Sequence, residues 1–292
     1  MNDSAPNQFT RVSTAAAASV LLWISRTLLG LLVSYPIVLA IQASSMTSGP
    51  EGDAVLFQPG SLMLLELLRI GMSALSAALR VALLLAALSA IIELVPLALA
   101  LDLLWFPGRP LLERFARALR LFPRFLALGA IALGAQAALL LAASLLGAAF
   151  KPALSAADER VQSIAPIALM GLGLLACGWF GGVLDIARAT LVRRGLRECG
   201  ARTALAQALL CLREQPFTVL IGLYPSVAGG AFAALTAAWL VARQDLSSPS
   251  SGAIALAFGA HQLAVLFAIV WRVRWLARAL ELSRASDSSD RR

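Results

Sequence analysis

The stretch Arg109–Phe150, RPLLERFARALRLFPRFLALGAIALGAQAALLLAASLLGAAF, decides the fold. Its opening carries Arg109, Arg114, Arg117, Arg120 and Arg124 among leucines and aromatics. From Phe125 to Phe150 no residue is charged. A helix crossing a hydrocarbon core about 30 Å thick needs about 20 mainly apolar residues. The segment therefore reads as a basic lead-in feeding a membrane-spanning helix.

Working outward, the same grammar recurs. Apolar runs at Val20–Ile41, Val81–Leu104, Phe125–Phe150, Ile164–Ile186, Phe217–Val241 and Ala253–Trp271 predict six spans. Arginine fills alternate connections: Arg188, Arg193, Arg194, Arg197, Arg202 and Arg213 follow the fourth span, and Arg272, Arg274, Arg278, Arg284, Arg291 and Arg292 follow the sixth. The connections between hold fewer: Lys151, Arg160 and Arg243, with acids beside them, and Arg69 and Arg80 in the stretch just before the second span. Basic loops stay in the cytoplasm. The expectation is an all-α polytopic membrane protein with both termini cytoplasmic: a lead-in at 1–19, a six-span domain at 20–280 and a polar tail at 281–292. Small residues near Ala43 and Ser44 resemble a secretory cleavage site. The parity of six spans requires that the first one be retained.

Composition agrees. The chain is 60% hydrophobic and 14% charged, against roughly 25% charged in soluble domains. Its net charge of +8 is confined to alternate loops, which excludes a nucleic-acid-binding surface. The arginines are expected to meet anionic lipid headgroups. Near-exclusive use of arginine over lysine, with abundant Ala and Leu, fits a GC-rich bacterial genome and hence an inner membrane. Cys177, Cys199 and Cys211 form no C-x-x-C pair, and no disulfide is expected. Trp105, Phe106, Trp239, Trp271 and Trp275 fall near span ends, as interfacial aromatics do.

Two readings of Ser61–Arg80 stand. Glu66, Arg69, Ser73, Ser76 and Arg80 step by three and four, drawing one polar stripe on a helix. An amphipathic helix in the outer interface is preferred, because it avoids an intramembrane arginine. The alternative is a second span that starts earlier and ends near Val95.

An internal repeat with an offset near ninety residues is visible. Pro123 and Pro216 each open a span after a helix bearing Arg and Leu (Leu111–Leu121 and Thr203–Leu212), with Gly129 and Gly222 six residues on. Ser34-Tyr35-Pro36 echoes Leu223-Tyr224-Pro225, and Ile92-Glu93-Leu94 echoes Leu184-Asp185-Ile186. Ala187-Arg188-Ala189 matches Ala277-Arg278-Ala279. The implied unit is a helix hairpin repeated three times, against the chance self-similarity of Leu/Ala-rich sequence.

The helices leading into Pro123 and Pro216, with the LDIAR segment Leu184–Arg188, resemble the polytopic membrane domain of bacterial glycerophosphodiester phosphodiesterases and its stand-alone relatives. The resemblance covers about the last two-thirds of the chain. It implies an architecture and carries over no active site.

Few residues offer chemistry. His261 is the only histidine and Lys151 the only lysine, and neither G-x-S-x-G nor a Walker-type Gly-Lys-Ser/Thr occurs. No catalytic, cofactor-binding or metal-binding residue is expected. Ionisable groups inside apolar runs are expensive there and face the bundle interior. Glu93, roughly 16 Å from the inner face, and His261, roughly 12 Å from the outer face, fall at similar depth at 1.5 Å per residue. They form a candidate polar site for a cation or a proton. Asp185 and Arg188, one turn apart, are expected to pair. Gln136 and Gln262 are expected as interhelical glue. Gly178 with Gly182, and Gly222, Ser226 and Gly230, form strips for close helix packing. Pro36, Pro96, Pro166 and Pro225 interrupt or begin helices, and Tyr224-Pro225 marks a candidate hinge. The functional expectation is a non-enzymatic accessory, scaffold or lipid-interacting subunit, with a protein partner or a homo-oligomer. A small permease using Glu93 and His261 is the alternative.

Overall fold

The computed structural model describes residues 8–42, 62–155, 159–195, 199–242 and 251–289. These form eight helices in the order α1 (Gln8–Gln42), α2 (Leu62–Ile92), α3 (Leu94–Trp105), α4 (Leu111–Ser155), α5 (Glu159–Arg194), α6 (Ala201–Glu214), α7 (Pro216–Ala242) and α8 (Ser251–Ser289). No strand occurs among the described residues. Six segments are long and apolar enough to cross a membrane: Val12–Ala40, Ser76–Trp105, Leu111–Phe150, Gly171–Arg194, Pro216–Leu240 and Ala255–Ala285. Each overlaps one expected span, and the chain is a multi-pass membrane protein.

The boundaries differ because helices here outrun the bilayer. At 45 residues α4 is about 68 Å long, twice a hydrocarbon core. The basic helix expected before the third span is the first part of α4 itself, continuous through Pro123. Its counterpart before the fifth span is a separate helix, α6, broken from α7 at Gln215. The lead-in at 1–19 is helical from Gln8, with Ala18 and Ser19 buried. The tail at 281–292 continues α8 to Ser289, with Leu282 and Ser283 buried.

The second span, Ser76–Trp105, agrees with the expected Val81–Leu104, but its lead-in differs from the expectation. No boundary separates an interfacial helix from a span at Arg80, since α2 runs unbroken from Leu62 to Ile92. The α2 helix stops at Ile92, but the span does not end near Val95: α3 completes the apolar segment to Trp105, and Arg80 is exposed. Pro96 explains the break. Without an N–H it cannot donate to the Ile92 carbonyl, and its ring crowds that turn. The Glu93 and Leu97 amides still bond to Ser89 and Glu93 carbonyls, so the chain bends at Glu93 rather than unravelling.

The helices pair in sequence as hairpins: α1 with α2, α4 with α5, α7 with α8. Consecutive elements are usually neighbours in any bundle, so the pairing is not itself evidence of repetition. The α5 helix is central and also touches α3, α6, α7 and α8. Its stretch Val183–Val192 is almost wholly buried.

Burial is lopsided. Leu101, Leu121, Phe125, Leu191, Ala208, Leu223, Trp275 and Leu276 are all at or near zero exposure. They sit at the arginine-bearing ends of the helices. At the other end Leu141, Leu145, Phe232, Leu235, Leu256 and Phe258 face outward, as lipid-contacting residues do. Gly195, at φ 78°, terminates α5 in the left-handed region, and its amide reaches the Leu191 carbonyl. A side chain would strain that cap.

Candidate functional site

The packed end is organised around two buried carboxylates. Asp185 lies on α5 at zero exposure. Its Oδ2 is 2.5 Å from Arg272 Nη1 and accepts from Trp275 Nε1 at 2.9 Å. Its Oδ1 accepts from Arg272 Nη2 at 2.7 Å and from Arg188 Nη1 at 3.4 Å. The expected Asp185–Arg188 pair is therefore present but is the longer of two. The principal partner comes from α8, because that helix crosses α5 here and carries Arg272 and Trp275 one turn apart. Trp275, expected at the membrane interface, is instead 1% exposed. Burying its indole requires a partner for the N–H, and Asp185 is that partner.

Asp102, on α3, is 1% exposed. Arg109 Nη1 lies 3.2 Å from its Oδ1, with Arg114 and Arg117 both at 3.6 Å. Arg109 and Arg117 also stack on Phe106, at 3.6 and 4.7 Å from the ring centroid. Arg114 donates to the carbonyls of Phe106, Pro107 and Arg109 at 2.6–2.8 Å. These carbonyls lie just beyond the end of α3, outside the helical ladder, and that of Phe106 also accepts from the Arg109 amide at 3.3 Å. One guanidinium thus closes the turn between α3 and α4. Further along α4, Arg117 donates to the Val192 carbonyl and Arg124 to that of Cys199. From α5, Arg193 donates to the Ser283 carbonyl on α8 at 2.9 Å. Many of the arginines expected to face lipid headgroups are turned inward as fasteners.

Glu93 is at the α2–α3 bend, and the partner found for it is Arg26 on α1, Nε to Oε1 2.6 Å, with both side chains about a third exposed. Glu93 also lies within electrostatic range of Arg188. Arg26, Glu93, Arg188, Asp185 and Arg272 thus form a run of alternating charge through α1, the α2–α3 bend, α5 and α8. His261 is exposed on α8, and no contact between it and Glu93 is found among the described residues. Its neighbour Gln262 makes the interhelical contact, accepting from Trp23 Nε1 at 3.2 Å and Thr27 Oγ1 at 3.4 Å. Gln136 donates to the Cys177 carbonyl at 3.2 Å. Both glutamines join helices as expected. The described residues hold no group of three His, Cys, Asp or Glu suited to a metal.

The small-residue strips divide. A Cβ added at Gly222 would lie 2.9 Å from Trp275 Cζ3, and one at Gly182 would lie 2.6 Å from Leu223 Cδ2. Both are sites of close approach. Gly230 would make an ordinary contact with Ala268, and Gly178 would meet nothing within 4 Å. Ser226 is buried and donates to its own helix at Leu223. Pro225 lies inside an uninterrupted α7, so no broken helix marks the Tyr224-Pro225 hinge.

Sequence reasoning missed Arg26, Asp102, Arg272 and Trp275. The signal for Arg26 was present: it lies inside the first expected span and demands a partner there. Asp102 was equally visible, a lone acid in an apolar run just before three arginines. Arg272 follows the sixth span and has no local acid, so only the crossing of α5 and α8 reveals its role. No family model, curated protein or solved structure matches this chain.

Proposed function

We propose that this chain is a non-enzymatic, multi-pass protein of a bacterial inner membrane that acts as a lipid-engaging accessory or scaffold subunit. Its arginine-rich end lies at the cytoplasmic leaflet. The observation supporting this is the concentration of packing and ion pairing at that end, where Asp102 and Asp185 clamp α3, α4, α5 and α8. A rigid charged end joined to loosely packed, lipid-exposed helices is the form of a platform. The resemblance to phosphodiesterase-linked membrane domains fits the same role, since such a domain sits beside a separate chemistry. The test is purification of the tagged chain from its host in mild detergent, read by native mass spectrometry. A stoichiometric protein partner or retained anionic lipid is the expected result. A bare monomer with neither overturns the reading.

A second reading draws on the run of charge from Arg26 to Arg272. Such a chain is also the equipment of a small permease. In that case uptake into proteoliposomes falls in Glu93→Gln and persists in His261→Ala, since Arg26 is the partner found for Glu93. Uptake indifferent to Glu93→Gln removes this reading.

A further inference from the structure

We propose that the groove between α7 and α8 at the arginine-rich end holds one anionic phospholipid, with its phosphate on Arg274 and Arg278 and an acyl chain along Ile221 and Pro225. The inference rests on the reading above that sets this end at an anionic leaflet.

The groove is open to the outside and offers about 630 Å³. Its α7 wall includes Thr218, Ile221, Gly222 and Pro225, and its α8 wall includes Trp271, Arg274, Trp275 and Arg278. Glycines on α7 set its depth. Trp275 presses on Gly222, and a Cβ added at Gly229 would stand 3.1 Å from Trp271 Nε1 and Cδ1. Trp275 is fixed from behind by its bond to Asp185, so the floor is anchored to the buried ion cluster. Part of this cavity is therefore apolar and rigid.

Its rim is basic. Arg274 and Arg278 are one helical turn apart on one face, and both are exposed. Arg274 sits 5.2 Å from the Trp271 ring centroid and has no carboxylate partner among the described residues. Arg278 shares Glu281 at 3.1 Å, with both side chains about half exposed. Most arginines nearby are committed to carbonyls or buried acids, as with Arg117, Arg124, Arg193 and Arg272. Arg274 and Arg278 instead overhang an apolar groove. Guanidinium groups match phosphate oxygens in pairs, and tryptophan suits the headgroup boundary. Diester phosphate with an attached acyl chain satisfies both rim and floor. Free phosphate satisfies the rim alone. A bound headgroup competes with Glu281 for Arg278.

The experiment uses the purified full chain, incubated with equal phosphatidylglycerol and phosphatidylcholine and read by native mass spectrometry. Phosphatidylglycerol is expected to be retained about tenfold over phosphatidylcholine, a difference of about 1.4 kcal/mol. The Arg274→Gln/Arg278→Gln double variant abolishes that preference, and Glu281→Gln strengthens it. Arg120→Gln/Arg202→Gln, at exposed arginines away from the groove, leaves it unchanged. Millimolar inorganic phosphate does not displace the lipid; displacement would identify a free-phosphate site and overturn the proposal. A preference lost in the Arg120/Arg202 variant but kept in the Arg274/Arg278 variant overturns the groove while leaving the leaflet placement intact. No preference in any protein overturns both.

Discussion

Asp185 is a single carboxylate shared by two guanidiniums and an indole, and its removal strands all three. Breaking a buried ion pair from one side costs about 3–5 kcal/mol, because the remaining charge stays desolvated. Asp185→Ala is therefore expected to lower the thermal midpoint in detergent sharply. Replacing Asp185 and Arg272 together by leucine recovers only the part of the loss that belongs to Arg272, because Arg188 and the Trp275 indole stay stranded. Equal melting of the single and double variants would show that the pair is not coupled. Gly222 and Gly178 make a second residue-scale contrast. Gly222→Ala drives a methyl into a fixed indole and is expected to cost about 1–3 kcal/mol. Gly178→Ala meets open space and gains helix propensity of up to about 1 kcal/mol. Paired melting curves separate the two. Cys211 is buried on α6, and burial, followed by the charge of Glu214, pushes its thiol pKa up. The folded state thus holds this proton more tightly than the unfolded chain. The stability it contributes is complete below the ordinary thiol range and drains away as pH climbs through that range to the raised value. Maleimide labelling of Cys211 should be slow in the folded protein and should rise at higher pH than labelling of the unfolded chain. Coincident profiles would contradict the burial.

At the scale of elements, the turn from α3 to α4 depends on Arg114. It satisfies three carbonyls and faces Asp102 while being 4% exposed. Hydrogen bonds to a charged donor contribute about 1.5–3 kcal/mol each at most. Arg114→Leu should open residues 106–110 to proteolysis and lower stability by about 2–4 kcal/mol. Arg120→Leu, exposed on the same helix, should do neither. Element existence was readable from the sequence because apolar length is a one-dimensional property. Where elements end was less readable. The α4 helix swallows its amphipathic lead-in and continues through Pro123, where the sequence suggested a boundary. Gln215 and Pro216, with the tight turn there, divide α6 from α7. Pro96 ends α2, although the polar stripe through Arg80 suggested an earlier boundary.

At the scale of the whole molecule, the arginine-rich end is both the charged face and the packed core. Single cysteines at Ser48→Cys and Arg197→Cys, in a background without native thiols, should label from outside and inside respectively with an impermeant reagent. The reverse pattern would invert the orientation. The sequence by itself determined the membrane class and six crossings. These follow from a chain-local quantity, the length of apolar runs. It also contained the acids and glutamines that join helices. Only the tertiary structure decided which groups meet. Glu93 finds Arg26 rather than His261, Asp185 takes Arg272 from a helix nearly ninety residues away, and Trp275 turns inward beneath Gly222. Such choices depend on which faces of crossing helices coincide. In an Ala/Leu-rich chain the spacing along one helix carries no record of its neighbour.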